Sequence, residues 1–275
     1  MDKRIREAVE QADMVLVGIG AEFSVQVPEM AEVRAGEVLQ QYLASEYYAG
    51  VPDTHPVLEA YRELRELIGK RPYFVVTLNT DDLIYRSPFA AEQIVAPCGS
   101  MGKLQCAEHI VDAKEIREKV LEAWRSSGKT FGTGTAGNAG DEEKMGVAGA
   151  AGECAAKTWA RILKEYAVCP VCGAPLNFHT IGTEGYLESG YLPQWERYKK
   201  WLTGTLNRRL CVLELGVGFE FPQVIRWPFE RTVFYNKKAT LVRVHSRFPQ
   251  VEAELSEKAV AVAANPVDAV VAQEG

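Results

Sequence analysis

The sequence predicts an α/β protein: a Rossmann-like parallel sheet with helices on both faces, plus a small inserted zinc-binding module. Three observations carry this. Short apolar runs recur along the chain with helical patterns between most of them, the signature of a doubly wound sheet. Two of these runs open directly into Gly-x-Gly turns, Gly18-Ile19-Gly20 and Gly216-Val217-Gly218. Four of the six cysteines, with much of the glycine, fall within residues 103–190.

The elements follow in order. Ile5, Ala8, Val9 and Ala12 recur at helical spacing, and Met14-Val15-Leu16-Val17 reads as a strand buried on both faces. Further strands are expected at Tyr73–Leu78, after a helical stretch from His55 to Ile68, and at Gln93–Ala96, Leu210–Leu215, Ala239–Val244 and Ala259–Ala263. Asn265 as N-cap and Pro266 at the first helical position start a last short helix to about Gln273. Residues 1–102 and 191–275 form the expected large domain, and 103–190 the inserted module. Within that module Ser126–Gly152, rich in Gly, Ala, Thr and Ser, reads as a loop, because it has few large residues to bury. Gly128-Lys129-Thr130 lacks the upstream glycine and preceding strand of a P-loop.

Composition narrows the class. The 275 residues are 47% hydrophobic and 25% charged, with 31 Lys+Arg against 37 Asp+Glu for a net charge of −6. The pI is near 5.5 and the mean hydropathy −0.14. An acidic chain lacks the basic footprint that duplex nucleic acid requires. No apolar run approaches the roughly 20 residues of a membrane helix. Met1–Glu7 is a charged helix start without an apolar signal core. Six cysteines without a secretory signal then read as reduced thiols or metal ligands, in a cytoplasmic protein.

Six constellations carry chemistry. A strand running into Gly18-Ile19-Gly20, with Ser24 beyond, places unhindered backbone where a pyrophosphate approaches, although such glycines also serve packing. Glu22 puts a carboxylate in that turn unless its side chain points away. Thr77-Leu78-Asn79-Thr80-Asp81-Asp82 sets polar residues at the carboxyl end of a buried strand, where open α/β sheets bind ligands. Helix capping accounts for one of these residues, not for all. Ile94–Ser100 is another strand opening into a turn, with Cys98 in it. Cys106-Ala107-Glu108-His109 and Cys169-Pro170-Val171-Cys172-Gly173 have the spacing of a tetrahedral zinc site, with Cys154 as a competitor to His109. Gly216-Val217-Gly218 repeats the strand-to-glycine turn, and His245-Ser246 follows a strand, where a lone histidine is more often structural.

Taken in order, these six resemble the sirtuin family across nearly the whole chain. The family's glycine turn is similar to Gly18-Ile19-Gly20 with Ser24, and its Thr-Gln-Asn-Ile-Asp motif to Thr77–Asp81. Its His-Gly resembles Cys98-Gly99, its paired Cys-x2-Cys module Cys106/His109 with Cys169/Cys172. Its late Gly-Thr-Ser and Asn turns resemble Gly216–Gly218 and His245-Ser246. The resemblance implies NAD and zinc as cofactors. NAD contacts would come from Gly18, Ile19, Gly20, Ser24, Asn79, Asp81, Gly216, Val217, Gly218, His245 and Ser246. Asn79 would hold the ribose or an ordered water, Asp81 would accept from the nicotinamide amide, and Cys98 stands where the catalytic histidine is. Other departures are Leu78 for the motif glutamine and the lack of an Asp-Phe-Arg cofactor loop near Pro28-Glu29. Such divergence is similar to outlying bacterial members, including the macrodomain-linked class.

A histidine near pKa 6.5 suits activation of a ribose hydroxyl for deacylation, whereas a cysteine of about 8.5 is mostly protonated at neutral pH. The sequence thus favours cleavage of the nicotinamide–ribose bond with transfer of ADP-ribose to a protein or small acceptor. NAD-dependent lysine deacylation is the alternative, and an inactive NAD- or ADP-ribose-binding protein the second.

Overall fold

The structure is a computed structural model that describes residues 1–27, 37–129 and 142–271. Its elements run α1 (Lys3–Glu10), β1 (Met14–Ile19), α2 (Glu37–Ala49), α3 (Pro56–Ile68), β2 (Tyr73–Thr77), β3 (Ile94–Val95), β4 (Gly99–Gln105), β5 (Ile110–Asp112) and α4 (Lys114–Ser126). They continue with α5 (Glu142–Tyr166), β6 (Asn177–Thr180), α6 (Leu192–Thr203), β7 (Leu210–Leu215), α7 (Arg226–Tyr235), β8 (Thr240–Val244), β9 (Ala259–Val262) and α8 (Pro266–Val271). Two units divide the chain: Met1–Val25, Val51–Ser100 and Glu188–Gly275 form one, Gln26–Gly50 with Met101–Leu187 the other.

In the first unit six parallel strands lie in the order β3-β2-β1-β7-β8-β9. The expected apolar runs are these strands. β1, β2 and β7 are buried almost throughout because helices cover both faces. Leu16, Phe74, Val76, Leu210, Val212 and Leu241 form one core with Tyr198 of α6 and Phe229 and Val233 of α7. On the other side α1 packs against β7 and β8, and α3 packs on α1 and α8. Local signals set the helix starts. His55 caps α3 by accepting from Val57 N–H at 3.2 Å, and Asn265 Oδ1 caps α8 by accepting from Val267 N–H at 2.9 Å.

The strand order reverses between β1 and β7, each of which runs into a glycine turn. In open α/β sheets that reversal is where ligands bind, beyond the carboxyl ends of the strands.

The second unit has a three-stranded sheet, β5-β4-β6, and a core of Leu39, Tyr42, Leu104, Trp124, Trp159, Ile162 and Phe178 among others. Tyr42 of α2 lies edge-on to Trp159 at 5.8 Å and to Phe178 at 4.9 Å, and Arg117 donates to Ser45 Oγ at 3.0 Å. These contacts place α2 in this unit, a partnership between distant segments that local sequence does not display. Ser126–Gly152, expected as a loop, is corrected from Glu142 onward, where α5 is helical; residues 130–141 lie outside the described residues. Alanine and other small residues bury little area, but alanine is a good helix former.

Candidate functional site

The turn after β1, residues 20–24, is the hub of the site in the first unit. Gly20 N–H donates to Leu215 O at 2.9 Å, at the end of β7. A Cβ on Gly20 would sit 2.3 Å from Gly216 O and 2.5 Å from Val217 Cα, so the two glycine turns touch backbone to backbone. Gly216 has φ +68°, and a Cβ there would meet Glu22 Cβ at 2.8 Å; only glycine takes this conformation without strain. Glycine at 20 and 216 is thus required by the packing of one turn on the other, at the carboxyl ends of β1 and β7. Gly18 lies within β1, where a Cβ would strike Ile225 Cγ2 at 2.6 Å and Phe229 Cε2 at 2.8 Å, so it is a packing glycine beneath α7. Ile19, the last residue of β1, is fully buried.

On one flank the hub joins the end of β2. Ser24 Oγ donates to Asp81 Oδ2 at 2.5 Å, and Asn79 Nδ2 donates to Phe23 O at 2.8 Å. Asp81 is buried, and Leu83 N–H donates to its Oδ1 at 2.9 Å, at the start of the short 3-10 turn Leu83–Arg86. Burial raises the Asp81 pKa above the ordinary carboxylate value, against the Ser24 and Leu83 hydrogen bonds. Asp82 takes a left-handed φ of 59° and accepts from Ser100 Oγ at 2.5 Å, which ties the loop after β2 to the start of β4. Tyr61 of α3, buried and 4.9 Å from the Phe23 ring, backs this flank; nothing in the local sequence marks it.

On the other flank the hub joins the end of β8. Glu22 does not point into the phosphate turn, as the sequence allowed. Ser246 N–H donates to its Oε2 at 2.9 Å, the Ser246 hydroxyl donates to Oε1, and His245 Nδ1 lies 3.0 Å from Oε2. Gly218 faces His245, whose Nε2 would be 3.8 Å from a Cβ there, while Val217 is buried under the turn.

The loops behind this flank are held by buried charge. Arg243 donates to Glu214 at 2.6 and 3.1 Å, to Glu230 at 2.8 Å and to Gln250 O at 2.6 Å. Arg226 donates to Val217 O at 2.9 Å and Phe248 O at 2.8 Å. Sequence reasoning missed both arginines; a charged residue inside an otherwise apolar strand, as at Glu214 and Arg243, is the signal that marks one pair.

Cys98 is buried, and burial, with the charge of Glu220, pushes its thiol up to about 12. A thiol raised in this way is mostly protonated at neutral pH and makes a poor general base.

The second unit contains the candidate metal centre. The ligand atoms of Cys106, His109, Cys169 and Cys172 all lie within 4.8 Å of one another. Cys106 Sγ is 3.7 Å from Cys172 Sγ and 3.5 Å from His109 Nδ1. Tetrahedral zinc, with bonds of about 2.3 Å to sulfur and about 2.0–2.1 Å to nitrogen, gives edges of about 3.8 and 3.5 Å. The residues fit zinc. The knuckle is built locally: Gly173, at φ +73°, donates its N–H to Cys169 O at 2.8 Å, and His109 N–H donates to Cys106 Sγ at 3.2 Å. Cys154 is exposed on α5 and is not in the cluster. The Pro28-Glu29 segment lies outside the described residues.

No protein-family model matches the sequence. A protein ADP-ribosyltransferase of Staphylococcus aureus is 22% identical over 284 residues, covering 93% of this chain and 81% of the relative. A probable bifunctional ADP-ribose hydrolase/ADP-ribosyltransferase of Fusarium oxysporum is 24% identical over 180 residues; that match takes 62% of this chain but only 25% of the larger relative. Among solved structures, one addressing sirtuin substrate affinity aligns with 99% of each chain at TM-score 0.50 and 14% identity. A mutant Sir2 homologue in complex with 2′-O-acetyl ADP ribose covers 98% of this chain and 94% of its own at TM-score 0.52 and 10% identity. With its six-stranded parallel sheet, glycine turns and Cys3His cluster, the chain has the fold of these sirtuin structures.

Proposed function

We propose that this chain is an NAD-dependent ADP-ribosyltransferase: it breaks the nicotinamide–ribose bond of NAD and passes ADP-ribose to a protein or small acceptor. The Cys98 thiol carries the choice of transfer over deacylation. Deacylation needs a base for a ribose hydroxyl, and a thiol pushed to about 12 makes a poor one. Transfer asks less of that position. The bond to nicotinamide breaks with its electron pair leaving on nicotinamide, and the acceptor's lone pair forms the new bond at the anomeric carbon while its proton passes to water. The names of the Staphylococcus and Fusarium relatives support this reading.

Within it, the backbone of Gly20 and Gly216–Gly218 receives the pyrophosphate. Asn79 and Asp81 hold the nicotinamide ribose and amide, and Ser24 fixes the Asp81 carboxylate. Each Asp81 oxygen has a lone pair left after its present bond. Zinc on Cys106, His109, Cys169 and Cys172 is structural and supplies no step. Reduced thiols in that cluster fit a cytoplasmic protein, and no helix among the described residues is long and apolar enough to cross a membrane.

The test uses Cys98. Cys98→Ala is expected to keep nicotinamide release within about threefold of wild type, whereas loss of a general base costs about a hundredfold or more. A hundredfold loss would overturn the reading. Cys98→His is expected to create no acyl-lysine removal, because an imidazole overpacks a site filled by a thiol; a peptide deacylation assay checks this.

A further inference from the structure

We infer that Glu22 makes the site select a ribose with a free 2′-hydroxyl, so that the chain takes NAD and rejects its 2′-phosphorylated counterpart, NADP. The inference rests on the proposed function and assigns a specificity residue within that site.

With pyrophosphate at the touching turns of β1 and β7, the two halves of a dinucleotide lie on opposite flanks. Asn79 and Asp81 occupy the β2 flank, where the nicotinamide bond is cleaved. The adenosine ribose therefore falls on the flank formed by Gly218, His245, Ser246 and Glu22. There the Glu22 carboxylate is fixed by the Ser246 amide at 2.9 Å and the Ser246 hydroxyl, yet its side chain is 21% exposed. A carboxylate only accepts, and each oxygen keeps spare lone-pair capacity. A ribose hydroxyl can donate to it. A 2′-phosphate brings about −1.5 to −2 charges and no donor of comparable use. Dinucleotide sites commonly read the 2′ position this way, with a carboxylate for the hydroxyl and an arginine for the phosphate. Here the carboxylate comes from the turn after β1 rather than from the end of β2.

The neighbouring cations do not cancel it. Arg226 is committed to Val217 O, Phe248 O and Gln250 O, and Arg243 to Glu214, Glu230 and Gln250 O. His245 Nδ1 lies 3.0 Å from Glu22 Oε2 and accepts from Arg247 N–H at 3.1 Å and Phe248 N–H at 3.2 Å, so that nitrogen is spent on the protein's own groups. Burial also lowers its pKa, against the pull of Glu22. Arg247 lies 5.3 Å over the Phe248 ring and is the cation that would have to rescue a phosphate.

Calorimetric titration of the full chain with ADP-ribose and with ADP-ribose 2′-phosphate tests this. Wild type is expected to favour ADP-ribose by about tenfold or more, a modest share of what two charges at contact distance generate near a protein surface. Glu22→Gln and Glu22→Ala are both expected to bring that ratio below about threefold, chiefly through tighter binding of the phosphorylated ligand. The ratio is internal to each protein, so partial loss of folded material does not alter it. Equal or tighter binding of the 2′-phosphate by wild type, or an unchanged ratio in both variants, overturns the inference while leaving the nucleotide site intact. Binding of neither ligand overturns the proposed function itself and the inference with it.

Discussion

Cys169→Ser is expected to abolish stoichiometric zinc and to unfold the second unit. Its sulfur is one corner of a cluster whose other corners are Cys106, His109 and Cys172. The knuckle's own main-chain bonds, Gly173 N–H to Cys169 O and Cys169 N–H to Ala174 O, both at 2.8 Å, are too few to hold it without the metal. Structural zinc in small modules contributes about 10–16 kcal/mol of apparent binding energy that folding draws on. The cluster is wired into the core: Cys106 and Cys169 are buried in the same group as Leu104, Trp159, Ile162 and Phe178. Elemental analysis should find about one zinc per wild-type chain and almost none in the variant, with protease cuts in 101–187 appearing at the same time. A variant that keeps its zinc, or a wild type that never held any, would rule out a structural metal at this cluster.

Arg243→Met should cost about 3–5 kcal/mol, the usual penalty for breaking a buried ion pair from one side. Glu214 is fully buried, and Arg243 donates two hydrogen bonds to its carboxylate. With the arginine gone the carboxylate must take up a proton or stay charged in an apolar sheet, and Gln250 O loses its bond at 2.6 Å. Losing this much of a typical 5–15 kcal/mol stability is severe. Denaturant unfolding of the variant beside Glu214→Leu/Arg243→Met is the check: the double change should recover part of the loss. A single variant within about 1 kcal/mol of wild type would show that the pair contributes little.

What the sequence made legible, and what it hid, follows from the range of the interactions. β7 was legible to the residue because a strand buried on both faces is a run of apolar residues with sharp ends. The zinc quartet was legible because its two halves are local, three residues apart, with Gly173 supplying a fixed turn. Gly18 and Gly20 sit two residues apart and read alike, yet one accommodates Phe229 and the other the Gly216 carbonyl. Only the tertiary neighbour separates them. Glu22 looked like an intruder because the group that redirects it, the Ser246 amide, is 224 positions away. α5 was hidden for another reason: alanine and glycine obscured a helix behind a composition that resembles a linker.

The most direct measurement follows NAD labelled in its adenylate half, incubated with the full chain, with and without an acyl-lysine peptide. Nicotinamide release is expected in both arms, with label on the protein or on water as free ADP-ribose. The peptide should be recovered with its acyl group in place, and Asp81→Asn should lower release by about a hundredfold. Release that appears only with the peptide, together with label in acylated ADP-ribose, would contradict transfer and establish deacylation.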